Sequence, residues 1–149
     1  MKENNGLDLI IIDYLQLIQV SGNSENRQSQ VSYISRTLKK LARDLNVPVI
    51  ALSQLSRKVE QRESKIPMMS DLRESGAIEQ DADIIAFLYR HSYYEEDKTQ
   101  NSESNQPVRI IIGKHRNGST GNYELMFEPR FGLFTEIDPK YKRNFEGKE

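Results

Sequence analysis

Leu7-Asp8-Leu9-Ile10-Ile11-Ile12-Asp13 is a nearly unbroken apolar run that ends on a carboxylate. It is too short for a core helix and rich in β-branched Ile, so it reads as a strand buried on both faces, as in a parallel sheet. Downstream, Gly22, Asn23, Ser24 and Asn26 form a polar loop. Val31, Ile34, Leu38, Leu41, Ala42 and Leu45 then recur at the 3–4 spacing of one helix face, with Arg36, Lys39, Lys40 and Arg43 on the other. Asn46-Val47-Pro48 stops that helix, and Val49-Ile50-Ala51-Leu52-Ser53 opens a second strand. Strand, helix, strand is the grammar of an α/β sheet, in which ligands gather at the carboxyl ends of the strands.

The remainder extends that pattern. Ser56 to Lys65 is mostly charged and reads as an exposed loop. Ser70 is the expected N-cap of a short helix interrupted or capped at Gly76. Asp83 to Tyr89 reads as a third buried strand, and the polar, acidic stretch His91 to Pro107 as a flexible loop. Val108 to Ile112, a turn at Asn117-Gly118, and the alternation Tyr123, Leu125, Phe127 read as a hairpin. Arg130 to Ile137 adds one strand. Residues 1–137 thus form one domain, and 138–149 a charged, flexible tail.

Composition narrows the function. The 149 residues carry 21 Lys+Arg against 22 Asp+Glu, a net charge of −1, and no Cys or Trp. The lack of Cys removes disulfides, thiolate metal sites and Cys nucleophiles, and fits a cytoplasmic protein. No apolar run approaches a membrane span, so no membrane association is expected. With no global positive charge, any attraction to nucleic acid must be local. A phosphate-cradling P-loop is absent: five positions before Gly113-Lys114 stands Val108, not Gly.

Four groups carry chemistry. Asp13, fixed at a sheet rim, is placed to hold Mg²⁺ and its waters against nucleotide phosphates, or to cap a turn. Gln54 offers an amide able to sense a γ-phosphate or orient water, unless it is a polar residue leaving the core. Lys114 and Arg116, on one side of a strand with His115 on the other, can clamp a phosphate in their own subunit or across an interface. A charge-protected edge strand explains them equally well. Asp71-Leu72-Arg73-Glu74-Ser75-Gly76 suits a nucleic-acid phosphate or is simply a capped helix, and the basic loop with Arg57 and Lys58 is a weaker polynucleotide signal.

In order, these segments resemble the C-terminal motor domain of the DnaB-type replicative DNA helicases. Leu9 to Leu17 is similar to the family's Walker-B segment, Ala51 to Arg57 to its sensor motif, Ser70 to Asp83 to its most recognisable signature, and Lys114-His115-Arg116-Asn117-Gly118 to its Lys-x-Arg-Asn-Gly element. The family often has Gln where His115 stands. The resemblance implies a RecA-like, mostly parallel sheet with an antiparallel C-terminal hairpin. It also implies a homo-hexamer around single-stranded DNA, driven by ATP and Mg²⁺, with primase and a helicase loader as partners. Asp13 would then hold Mg²⁺ through water, and Gln54 would couple phosphate state to the DNA loops. Lys114 and Arg116 would reach a neighbour's nucleotide, while Arg73, Glu74 and Gly76, with Arg57 and Lys58, would face DNA.

The family's P-loop and water-activating Glu precede the Walker-B strand, and neither is in this sequence. The fold is therefore expected to be incomplete, with the P-loop strand missing between the strands near Val49–Ser53 and Ile84–Tyr89. The chain is expected to rearrange, close that gap or pair with a second copy. It is also expected to bind no nucleotide tightly by itself. The alternative is a non-enzymatic, truncated helicase-like module that binds helicase subunits or DNA.

Overall fold

Apolar strands and one amphipathic helix organise the chain as the hydrophobic pattern dictates. The computed structural model describes residues 6–20, 26–90 and 105–137, with backbone alone at 73–75. The expected acidic loop falls mainly, and the charged tail entirely, outside the described residues. The described elements are β1 (Ile10–Ile12), a 3-10 turn (Leu15–Leu17), α1 (Arg27–Leu45), β2 (Val49–Ala51), 3-10 turns at Arg57–Gln61 and Met69–Ser75, α2 (Gly76–Asp81), β3 (Ile84–Tyr89), β4 (Gln106–His115), β5 (Gly121–Glu128) and β6 (Leu133–Glu136). They fall into two compact units, Met1–Ser64 with Met68–Asp83, and Lys65–Pro67 with Ile84–Glu149.

In the first unit β1 and β2 pair in parallel, Ile10 opposite Val49 and Ile12 opposite Ala51. α1 makes the crossover between them. Asn26 caps its N-terminus by accepting from the Gln28 N–H at 3.1 Å. Asn46 ends it in the left-handed region at φ 49°, donating its N–H to the carbonyls of Ala42 and Arg43. Val31 and Ile34 are buried as the periodicity requires. Ser35 Oγ donates to Asp81 Oδ2 at 2.8 Å and Lys39 pairs with Asp83, so α1 also holds the segment around α2.

Three expectations are corrected by these elements. β1 is not buried on both faces: Ile11 is 63% and its partner Ile50 50% exposed. A two-strand sheet has no second covering layer among the described residues, and that face stays open. The charged stretch after Ser56 is not simply an exposed loop. It coils into a 3-10 turn because Val59, its one apolar residue, is buried at 5% exposure. Ser70 is not the N-cap, because the 3-10 turn starts after Met68; Gly76 is the C-cap of that turn, as expected, and with right-handed φ −50° it also opens α2.

The second unit is an antiparallel sheet in the order β3-β4-β5-β6. The Asn117-Gly118 hairpin is as read, with β6 added as expected. β3 is not buried throughout but alternates, with Ile85, Phe87 and Tyr89 buried while Ile84, Ala86 and Leu88 are exposed. That is the signature of a sheet covered on one face. Parallel pairing is thus confined to β1 and β2 among the described strands.

The register slips between Ile85 and Ala86, where Ile85 faces Lys114 and Ala86 faces Ile112, leaving Gly113 as the extra residue of a β-bulge. Past the bulge, the His115 ring lies against the turn. A Cβ on Gly118 would collide with the Cε1 and Nδ1 atoms of that ring. Gly118→Ala is therefore expected to cost about 1–2 kcal/mol, and His115→Ala to relieve most of that cost, as thermal melts of the single and double variants will show.

Candidate functional site

The rim of the parallel pair collects the polar residues. The backbone ladder continues past both strand ends: Leu52 N–H donates to the Ile12 carbonyl and Leu15 N–H to the Leu52 carbonyl, each at 2.9 Å. Leu15 anchors the turn at 3% exposure. This crossing places Asp13 and Gln54 on one rim, as the strand-end reading anticipated. The Asp13–Tyr14 peptide bond is cis.

An open recess of about 340 Å³ is lined by Asp13, Tyr14, Leu52, Ser53 and Gln54. Asp13 is exposed, and its carboxylate has no hydrogen bond or ion pair among the described residues. A second recess of about 470 Å³ is lined by Gln16, Arg27, Gln54, Arg57 and Lys58, with Asp71 at its wall. Gln54 thus lines both: a carboxylate on one side, three cations on the other. No cluster of three or more metal-ligating side chains occurs among the described residues.

Two residues singled out by no chemical role in the sequence hold this arrangement together. Gln16 Nε2 donates to Ser53 Oγ at 3.0 Å and to the Gln54 carbonyl at 3.2 Å, and its Oε1 accepts from the Gln54 N–H at 3.3 Å. Arg27 Nη2 in turn donates to the Gln16 carbonyl at 2.8 Å. Asp71, buried at 6% exposure, accepts from Arg62 Nη2 and from the Met68 N–H, both at 2.9 Å. Ser56 N–H donates to the Asp71 carbonyl at 3.1 Å. The available signal for Gln16 was its position three residues after Asp13; for Asp71, its position three after Met68, where an acidic side chain reaches back to an orphan N–H.

The first unit therefore brings together Asp13, Gln54, Arg57 and Lys58. Arg73 and Glu74 lie on the 3-10 turn that Asp71 anchors, and Gly76 opens α2. Lys114 and Arg116 stand in the second unit. Strand alternation reaches Lys114 but does not extend to Arg116. β4 ends at His115, so Arg116 already belongs to the turn, and only Lys114 is placed by the strand, opposite Ile85.

A parallel pair with a carboxylate and an amide on one rim, joined in sequence to an antiparallel sheet, makes this an α/β protein with polar residues gathered at its strand ends. A family model described as DnaB-like helicase C terminal domain matches residues 1–136, and the chain belongs to that family. It is 58% identical to the replicative DNA helicase DnaB of Geobacillus stearothermophilus and 56% to the replicative DNA helicase DnaC of Bacillus subtilis. Each match covers 95% of this chain and 30% of the relative. A DnaB-like replicative helicase, solved in a study of its interactions with primase, superposes with a TM-score of 0.80 at 50% identity, covering 92% of this chain and 33% of that one. A second solved structure, an isolated ATPase domain, gives the same score and identity over 47% of its length. The chain thus spans about 30% of the curated relatives it matches. Among the described residues no helix is long and apolar enough to cross a membrane.

Proposed function

We propose that this chain is the C-terminal part of a RecA-like helicase motor domain. In the complete homo-hexamer, that motor couples ATP hydrolysis to movement along single-stranded DNA and to duplex unwinding. The observation that carries the reading is Gln54, which lines the Asp13 recess and the basic recess at once. A residue so placed can relay phosphate state to a strand-binding surface.

Within this reading each residue has a role. An exposed carboxylate without a partner among the described residues fits a hydrated Mg²⁺, which binds through one or two carboxylates plus substrate phosphates rather than in an all-protein cage. Bound there, the ion would neutralise charge developing on the transferred phosphoryl group. Asp13 would accept from its waters and Gln54 would hydrogen-bond the nucleotide's outer phosphate, while Arg57 and Lys58, with the segment of Arg73, Glu74 and Gly76, would contact the DNA backbone. Lys114 and Arg116 supply positive charge to the nucleotide of the adjoining subunit. Primase and a loader are the partners of the complete machine.

The 149 residues contain no P-loop, so the purified chain is expected to show no Mg²⁺-dependent ATP turnover. The same chain exchanged for the matching segment of the Geobacillus stearothermophilus helicase is expected to support DNA-stimulated turnover. Failure of that hybrid despite assembly would sink the motor reading and favour the non-enzymatic module. DNA binding by the chain alone is expected to be weak and steeply salt-dependent, because isolated phosphate contacts lack the avidity of a ring. A titration from about 50 to 200 mM salt that leaves affinity unchanged would contradict it.

A further inference from the structure

We infer that Gln16 is a positioning residue that locks the backbone of Gln54 and thereby couples the carboxylate recess to the basic recess. The inference rests on the function proposed above and deepens it. One side-chain amide makes three bonds to two consecutive residues of the other strand end: it grips both the N–H and the C=O of Gln54 and also Ser53 Oγ. Gripping both backbone groups fixes the peptide planes on either side of Gln54, so its side chain is aimed by a neighbour and not by its own rotamer alone. Gln16 is itself held, since Leu15 is buried beside it and Arg27 donates to its carbonyl.

The topology explains why this matters. Asp13 lines the first recess and Gln16, three residues later on the 3-10 turn, lines the second. A displacement of the Asp13 turn therefore pulls on Gln54 through Gln16. From Gln54 it passes along Leu55 and Ser56 to Arg57 and Lys58, and through Ser56 to the carbonyl of Asp71. The coupling path is a chain of hydrogen bonds and covalent neighbours, with the Gln16 side chain crossing between the two strand ends. Gln16 touches neither phosphate nor DNA in this scheme; its role is exercised on Gln54.

Two readouts test it. In the 149-residue chain, Gln16→Leu is expected to speed hydrogen exchange of the Gln54 amide roughly tenfold relative to the Leu52 and Leu15 amides, which bond to other carbonyls. Gln16→Glu, which keeps an acceptor for the Gln54 N–H, is expected to retain most of that protection. Equal acceleration of all three amides would mean general destabilisation and overturn the clamp. In the hybrid helicase, the ratio of DNA-stimulated to basal ATP turnover is expected to fall about tenfold in Gln16→Leu, within the range of ordinary coupling between sites. Ser53→Ala should lower it less, and the two changes should be non-additive. The ratio is insensitive to the fraction of folded enzyme, so a merely structural role would leave it unmoved. A ratio within twofold of the parent in Gln16→Leu overturns the inference alone; a parent hybrid without DNA stimulation overturns the proposed function and the inference together.

Discussion

Asp13→Asn in the hybrid helicase is expected to cut DNA-stimulated ATP turnover by roughly two to three orders of magnitude, the usual cost of removing one fixed charge from a phosphoryl-transfer site. Asn preserves the side chain's shape and an acceptor oxygen, so the loss isolates charge from packing. The fold gives little reason for collateral damage. Asp13 is exposed and makes no hydrogen bond or ion pair among the described residues. Leu15, which anchors the turn, is untouched. Steady-state turnover against Mg²⁺ concentration, with size-exclusion chromatography to confirm assembly, reads the effect. A loss smaller than about fivefold would remove Asp13 from the metal-binding role.

Asp71→Ala is expected to have the largest effect on stability, about 3 kcal/mol, or roughly a 10 °C fall in Tm for a chain of this size. Its carboxylate is buried and serves two donors at once, Arg62 Nη2 and the Met68 N–H. Truncation leaves the Met68 N–H without its capping acceptor and removes the carboxylate from a guanidinium that is itself only 29% exposed. That residual exposure of Arg62 sets the expectation toward the lower end of the cost of breaking a buried pair. The two 3-10 turns at Arg57–Gln61 and Met69–Ser75 meet through Asp71 and its neighbours, so local order in both should decline. Thermal unfolding followed by circular dichroism checks the prediction; a Tm within about 2 °C of the parent would show that the pair contributes little.

The sequence made some of this structure plain, and particular residues explain where it did not. α1 was legible because its apolar spacing and its Asn46 stop act locally, and the Asn117-Gly118 hairpin because a turn between alternating strands needs no distant partner. Ile11 was misread as buried because an apolar run records a need for cover, and that cover is not among the described residues. Val59 was lost in the average of a charged stretch, though one buried side chain sufficed to coil it. The strand-end rule found Asp13 and Gln54, whose placement follows from parallel pairing. Gln16 and Asp71 escaped because their partners, Ser53–Gln54 and Arg62, are chosen by tertiary proximity, for which no periodicity exists. The strand end at His115 likewise leaves Arg116 in the turn, outside the alternation that aligns it with Lys114.

Strand displacement on a forked DNA by the hybrid helicase demands nucleotide chemistry, DNA contact and their coupling together. If this chain is a working part of a helicase motor, the hybrid separates the strands in the presence of ATP and Mg²⁺ at a rate within about tenfold of the Geobacillus stearothermophilus parent, as expected for 58% identity over the exchanged segment. A hybrid that assembles and folds but leaves the fork intact would show that the chain is no such part.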